Sequence, residues 1–139
     1  MIEDFNFHKY SNSEAKQLNS LSLAFVGDAI YEVYIRSSIL NKNDQLSAHK
    51  LHIKAINYVK AKAQSDIMKE LELELNEEEL GVYKRGRNTK SHTVPKNADV
   101  RDYRNATGFE ALVGYLYLTN QKDRMMYILN RSVMIREGL

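Results

Sequence analysis

The chain has 139 residues, 43% of them hydrophobic and 27% charged, the profile of one ordinary globular domain with enough apolar matter for its own core. It contains no cysteine, which excludes a disulfide framework, a thiolate nucleophile and a cysteine-based zinc site, and suits a reducing cytoplasm. The net charge is only +2, so a nucleic-acid partner has to be argued from where the charges lie and not from their sum.

Residues 1–10 carry acids and aromatics instead of a basic patch followed by an apolar run, and no later stretch approaches a membrane-spanning length. Neither an export signal nor a membrane anchor is therefore expected. Ser11 and Glu14 have the spacing of a capping box, after which Leu21, Phe25, Ile30, Val33 and Tyr34 keep roughly helical intervals. This predicts a long first helix ending near Leu40. Residues 41–44 form a polar break. Beyond it, Ile56, Val59, Ala63, Ile67, Leu71 and Leu75 recur at three- and four-residue intervals, predicting a second long amphipathic helix, bent near its start.

Asn76 caps a brief third helix whose opening Glu77, Glu78 and Glu79 suit a positive helix end, with Gly86 as its expected stop. From 87 to 104 the apolar period vanishes and Pro95, the single proline, falls in the middle, which predicts a long surface loop. Ordering such a loop costs backbone entropy that burial does not return, so its length hints at a binding role. Phe109, Leu112, Val113 and Leu116 mark a strongly apolar helix, and Met125, Ile128, Leu129 and Val133 mark a last one after a turn near Asn120. No segment alternates as a strand does, and no repeat or linker divides the chain. The expected class is all-α, a single helical domain over residues 1–139.

Two acids stand out against apolar surroundings. Asp28 sits among Leu23, Ala24, Phe25, Val26, Gly27, Ala29 and Ile30, with no lysine or arginine within one helical turn. Buried, it needs a cation, backbone donors or a metal; facing water, it needs nothing, and an isolated helical acid commonly faces water. Glu110 has a similar frame, Gly108, Phe109, Ala111, Leu112, Val113 and Gly114. Its spacing from Thr107 is also that of a capping box, which would give it a purely local role. Two carboxylates converging from different helices are what a magnesium-dependent phosphodiesterase needs, because hard cations take oxygen ligands and keep several waters.

The complementary feature is basic. Lys84, Arg85, Arg87, Lys90, Lys96, Arg101 and Arg104 are opposed only by Asp99 and Asp102, which leaves the rest of the chain acidic on balance. Such a segment suits a polyanion held by counterion release, with Asn88, Thr89, Ser91, His92 and Asn97 available to phosphate or sugar oxygens; a solvated loop is the plainer reading. His49 and His52 lie three apart without an obvious third metal ligand, and exposure is expected for both. The nine tyrosines are scattered at core-like positions instead of forming a stacking surface. No phosphate-binding glycine loop, serine nucleophile elbow or dinucleotide fingerprint occurs.

The run from Leu23 to Ala29 resembles the signature helix of ribonuclease III, and the run from Phe109 to Gly114 resembles its second catalytic helix. Tyr83 to Asn88, leading into Val94, Pro95, Lys96 and Asn97, is similar to the Mini-III subfamily, so the resemblance spans nearly the whole chain. It implies a ribonuclease III-like helical domain that forms a C2 homodimer through the signature helix, with Asp28 and Glu110 as the catalytic carboxylates that hold Mg2+. It also implies endonucleolytic cleavage of double-stranded RNA to 5'-phosphate and 3'-hydroxyl ends, with precursor 23S ribosomal RNA as substrate. Ala24 and Thr107 stand where the larger enzymes carry two further acids, implying a thinner, wetter metal shell. No separate double-stranded RNA-binding domain is expected, so the basic segment would grip the duplex by backbone and shape. Two rivals use the same charges without cutting: a double-stranded RNA-binding or ribosome-assembly module, and a protein-interaction domain with an acidic partner.

Overall fold

Ser11 accepts the Glu14 N–H while its own N–H donates to the Glu14 carboxylate, the reciprocal box expected, and it opens α1 (Asn12–Gln17). The structure, a computed structural model, describes residues 2–90 and 94–139. The predicted first helix is in fact two. Leu18 turns extended, and Asn19 caps a new start by accepting the Leu21 N–H at 2.8 Å. From there α2 (Ser20–Lys42) runs its full length.

The predicted second helix is divided as well. α3 (Ala48–Val59) ends at Lys60, whose backbone is extended, and Lys60 also begins α4 (Ala61–Leu71). The apolar period continues across the break, which is why the sequence conceals it. α5 (Glu77–Asn88) carries the Asn76 cap as expected and runs past Gly86, which packs against another helix instead of stopping its own. The foreseen loop shrinks at both ends, because α6 (Val100–Leu118) begins at the Asp99 cap, where the aspartate accepts the Asp102 N–H at 3.0 Å. The opening of α6 lacks an apolar period because Val100, Arg101 and Arg104 are exposed there. Asn120, at φ 57°, makes the turn into α7 (Lys122–Arg136), a left-handed position that asparagine tolerates. Among the described residues there is no strand.

α6 is the axis of the molecule. Every residue from 106 to 117 except Glu110 is buried, as expected of a helix apolar on all sides. α2, α4, α5 and α7 surround it, and α1 touches it. Tyr31 from α2 meets Phe109 edge-on at 4.9 Å, and the Tyr31 hydroxyl donates to the Tyr58 carbonyl at 2.9 Å. The tyrosines at 31, 83, 115 and 117 are core residues, as their spacing suggested.

A buried ion pair ties the far end. Glu79, 1% exposed, closes the Asn76 box and takes Arg124 of α7 at 2.7 Å, and Arg124 also donates to the Glu74 carbonyl at 2.6 Å. No helix among the described residues is long and apolar enough to cross a membrane.

Candidate active site

The site arises where α2 crosses α6. Both helices place glycine at the crossing, a costly choice in a helix interior. A Cβ on Gly27 would lie 1.7 Å from the Glu110 carbonyl oxygen, and one on Gly114 would lie 2.0 Å from the Leu23 carbonyl oxygen. The two backbones are thus in direct contact. Asp28 follows Gly27 and Glu110 supplies the opposing backbone, so the close approach sets the two carboxyl groups beside each other. Asp28 is exposed and Glu110 half-buried, so the pair stands at the protein surface with Asp28 open to water.

Burial first, and then the Asp28 carboxyl beside it, push the Glu110 carboxyl up to about 8, with Glu32 adding to the rise. Glu32 is itself paired with Arg36 at 2.9 Å. Opposing the rise is Gln64 of α4, whose Nε2 donates to Glu110 Oε2 at 3.4 Å and to the Val59 carbonyl at 2.9 Å. The sequence reading missed Gln64. Its signal was available: a polar residue on the apolar stripe of Ala63, Ile67 and Leu71, the same anomaly that singled out Asp28.

The capping-box reading of Glu110 is overturned. Residue 110 lies in the middle of α6, far from any helix start, and the Thr107 hydroxyl donates to the Tyr103 carbonyl at 3.1 Å instead. Ala24 and Thr107 are both buried beside the crossing. No group of three or more histidine, aspartate or glutamate side chains arranged as metal ligands occurs among the described residues. Two hard oxygen donors side by side, one exposed and one half-buried, nevertheless suit one divalent cation that keeps much of its water, since such an ion would relieve their repulsion. His49 and His52 are exposed, as expected.

The basic residues divide into groups. Arg87, Asn88, Arg101 and Arg104 come together across α5 and α6, lining an open cleft of about 660 Å³ with Asp99, Val100 and Asn105. The Arg87 guanidinium lies over the Tyr83 ring at 5.5 Å. Lys84 and Arg85 are exposed on α5, Arg85 on the side toward Tyr115. Lys90 and Lys96 are exposed in the connection between the helices, and His92 lies outside the described residues.

A ladder of side chains joins the basic cleft to the carboxylates. The Tyr83 hydroxyl donates to Asn105 Oδ1 at 3.2 Å, and Asn105 Nδ2 donates to the Ser65 hydroxyl at 3.0 Å, next in chain to Gln64. Asn105 stands five residues before Glu110 on α6, roughly 7.5 Å along the axis at the helical rise.

Comparison with known proteins places the chain in a family. Residues 21–121 match the family model described as Ribonuclease III domain. The chain is 49% identical to the Mini-ribonuclease 3 of Clostridium tetani, covering 99% of this chain and 91% of that one. It is 55% identical to the Mini-ribonuclease 3 of Enterococcus faecalis, covering 83% and 88% respectively. A crystal structure of a protein from Fusobacterium nucleatum superposes with a TM-score of 0.76 at 34% identity, covering 88% of this chain and 96% of that chain. Fold and relatives converge: the chain is an endoribonuclease of the ribonuclease III family and belongs to its Mini-ribonuclease 3 branch.

Proposed function

We propose that this protein cuts double-stranded RNA in a divalent-metal-dependent reaction at the Asp28–Glu110 pair, and that it matures the paired ends of precursor 23S ribosomal RNA in the cytoplasm. The observation that carries the reading is the meeting of the two carboxyl groups at the α2–α6 crossing. Asp28 and Glu110 would hold Mg2+, an ion whose charge would favour the ionised form of both carboxyl groups. When bound, the metal supplies the attacking hydroxide and neutralises charge on the scissile phosphate. The products expected carry 5'-phosphate and 3'-hydroxyl ends.

Lys84, Arg85, Arg87, Asn88, Lys90, His92, Lys96, Arg101 and Arg104 grip the duplex. The open cleft at Arg87, Arg101 and Arg104 supports this role, because guanidinium groups lining an open cleft within a few helical turns of the carboxylates suit an A-form backbone, read by phosphate position. The active unit is a homodimer. Phe25, 82% exposed, and Val33 and Leu40, each 50% exposed, lie with Ala29 along one outer side of α2, an apolar stripe that a symmetry mate would cover. The whole chain acts as one domain, since Ala15 of α1 and Met125, Ile128 and Leu129 of α7 are buried in the same core as the matched region.

The test is a Mg2+ titration of duplex-RNA cleavage by wild type and Asp28→Asn. Metal-dependent cutting by the wild type alone supports the reading. Duplex binding without cutting at any metal concentration favours the non-catalytic ribosome-assembly role.

A further inference from the structure

Gln64 is 2% exposed, and its Oε1 has no hydrogen-bond partner, the one such buried side-chain atom among the described residues. Its orientation is not arbitrary. Both groups it faces with Nε2, the Val59 carbonyl and the Glu110 carboxyl, are acceptors, so the amide nitrogen must point toward them and the oxygen is left stranded. The Val59 carbonyl is one of those left over where α3 ends at Lys60. Satisfying it needs one N–H, and the carboxamide brings two.

We infer that Gln64 is a positioning residue: fixed by the break between α3 and α4, it holds the Glu110 carboxylate in the orientation that receives the metal ion. The inference rests on the proposed role of Asp28 and Glu110. An orphaned buried oxygen is a standing cost to stability, so the amide is kept for its second N–H and not for the fold. The contact to Glu110 is 3.4 Å, at the long end for a hydrogen bond, and hydrogen bonds of this kind commonly tighten on binding. The same helix anchors the site from its other side, because neighbouring Ser65 fixes Asn105 on α6. α4 thereby sets where α6 presents Glu110. Ala24 and Thr107 supply no carboxylate, so with only two acidic ligands the orientation of each weighs more.

The test measures Mn2+ binding to metal-free, full-length protein by loss of the free-ion paramagnetic signal, for wild type, Gln64→Met, Gln64→Leu and Asp28→Asn. Circular dichroism identifies the folded variants, and the two apolar replacements differ in shape so that one core accommodation suffices. A positioning role predicts Mn2+ affinity about 10–100-fold weaker in the Gln64 variants, the loss typical of outer-shell partners. Duplex-RNA binding without divalent ions should be unchanged in them. Mn2+ affinity within about twofold of wild type in a folded Gln64 variant, with binding abolished in Asp28→Asn, overturns the role of Gln64 and leaves the metal site standing. Unchanged affinity in all three variants overturns both.

Discussion

Gly27 and Glu110 are in backbone contact: the hydrogen of Gly27 that any other residue would replace by a carbon points at the Glu110 carbonyl, 1.7 Å from where that carbon would sit. Backbone carbonyls do not yield as flexible side chains do, so the helices would have to separate to admit a methyl group. Gly114 makes the reciprocal contact with Leu23. The distance between the carboxyl groups of Asp28 and Glu110 is therefore set by the absence of two side chains.

Gly27→Ala should destabilise the fold by at least about 3 kcal/mol, at the upper end for overpacking in a rigid core. Thermal unfolding measures it. Any fraction that folds should lose cleavage as well, since the carboxyl groups would be spread apart. A variant that melts like wild type would show that the two helices can separate at little cost.

Asp28→Asn keeps the shape of an exposed side chain and removes its charge. Its melting temperature should stay near wild type while Mg2+-dependent cleavage of a duplex falls by several orders of magnitude. Activity retained at one tenth of wild type would remove Asp28 from the chemistry.

Arg85, Arg87 and Lys96 occupy α5 and the connection after it, and replacing all three by alanine removes three positive charges, at the cost of one contact between Arg87 and the Tyr83 ring. Duplex binding should weaken. The slope of log affinity against log salt should flatten by about one for each phosphate that is no longer neutralised. Filter binding across a range of potassium concentrations gives both, and an unchanged slope would assign the grip elsewhere.

Arg124 is the cation that neutralises buried Glu79 and also bonds the Glu74 carbonyl. Arg124→Ala leaves a buried carboxylate uncompensated, and the loss should be roughly 3 kcal/mol, the low end for breaking a buried pair because the arginine is partly exposed. Denaturant unfolding reads it directly. Metal affinity should not change, since this pair lies on α5 and α7, away from the α2–α6 crossing.

The raised Glu110 carboxyl makes the metal-free protein sensitive to pH. The folded state holds a proton that the unfolded state releases near the ordinary carboxylate value. Stability is then greatest below that value and falls as pH rises to about 8. Melting curves in chelator should show this decline between about pH 4.5 and 8. Glu110→Gln, neutral at every pH, should remove that part of it.

The helical class, the Asn76 cap, the turn at Asn120 and the two acidic motifs were legible in the sequence because each is written in local spacing. Helical period reports which face of a segment is buried, and a carboxylate on an apolar segment stands out from that period whether it is half-buried, as Glu110 is, or exposed, as Asp28 is. Period is blind to a break that preserves the stripe, so the division at Lys60 between α3 and α4 was hidden. It is equally blind to a helix whose first turns face water, so the beginning of α6 read as loop.

What the sequence determined by itself was the set of parts: the helical periods, two anomalous acids and one basic stretch. Tertiary structure alone decided that Asp28 and Glu110 meet, that Glu110 is no helix cap, and that Gln64 reaches Glu110 from a third helix. The physical reason is that contact between residues so distant along the chain depends on how closely two helices approach and at what point they cross. A glycine permits a close crossing without saying which partner will fill it.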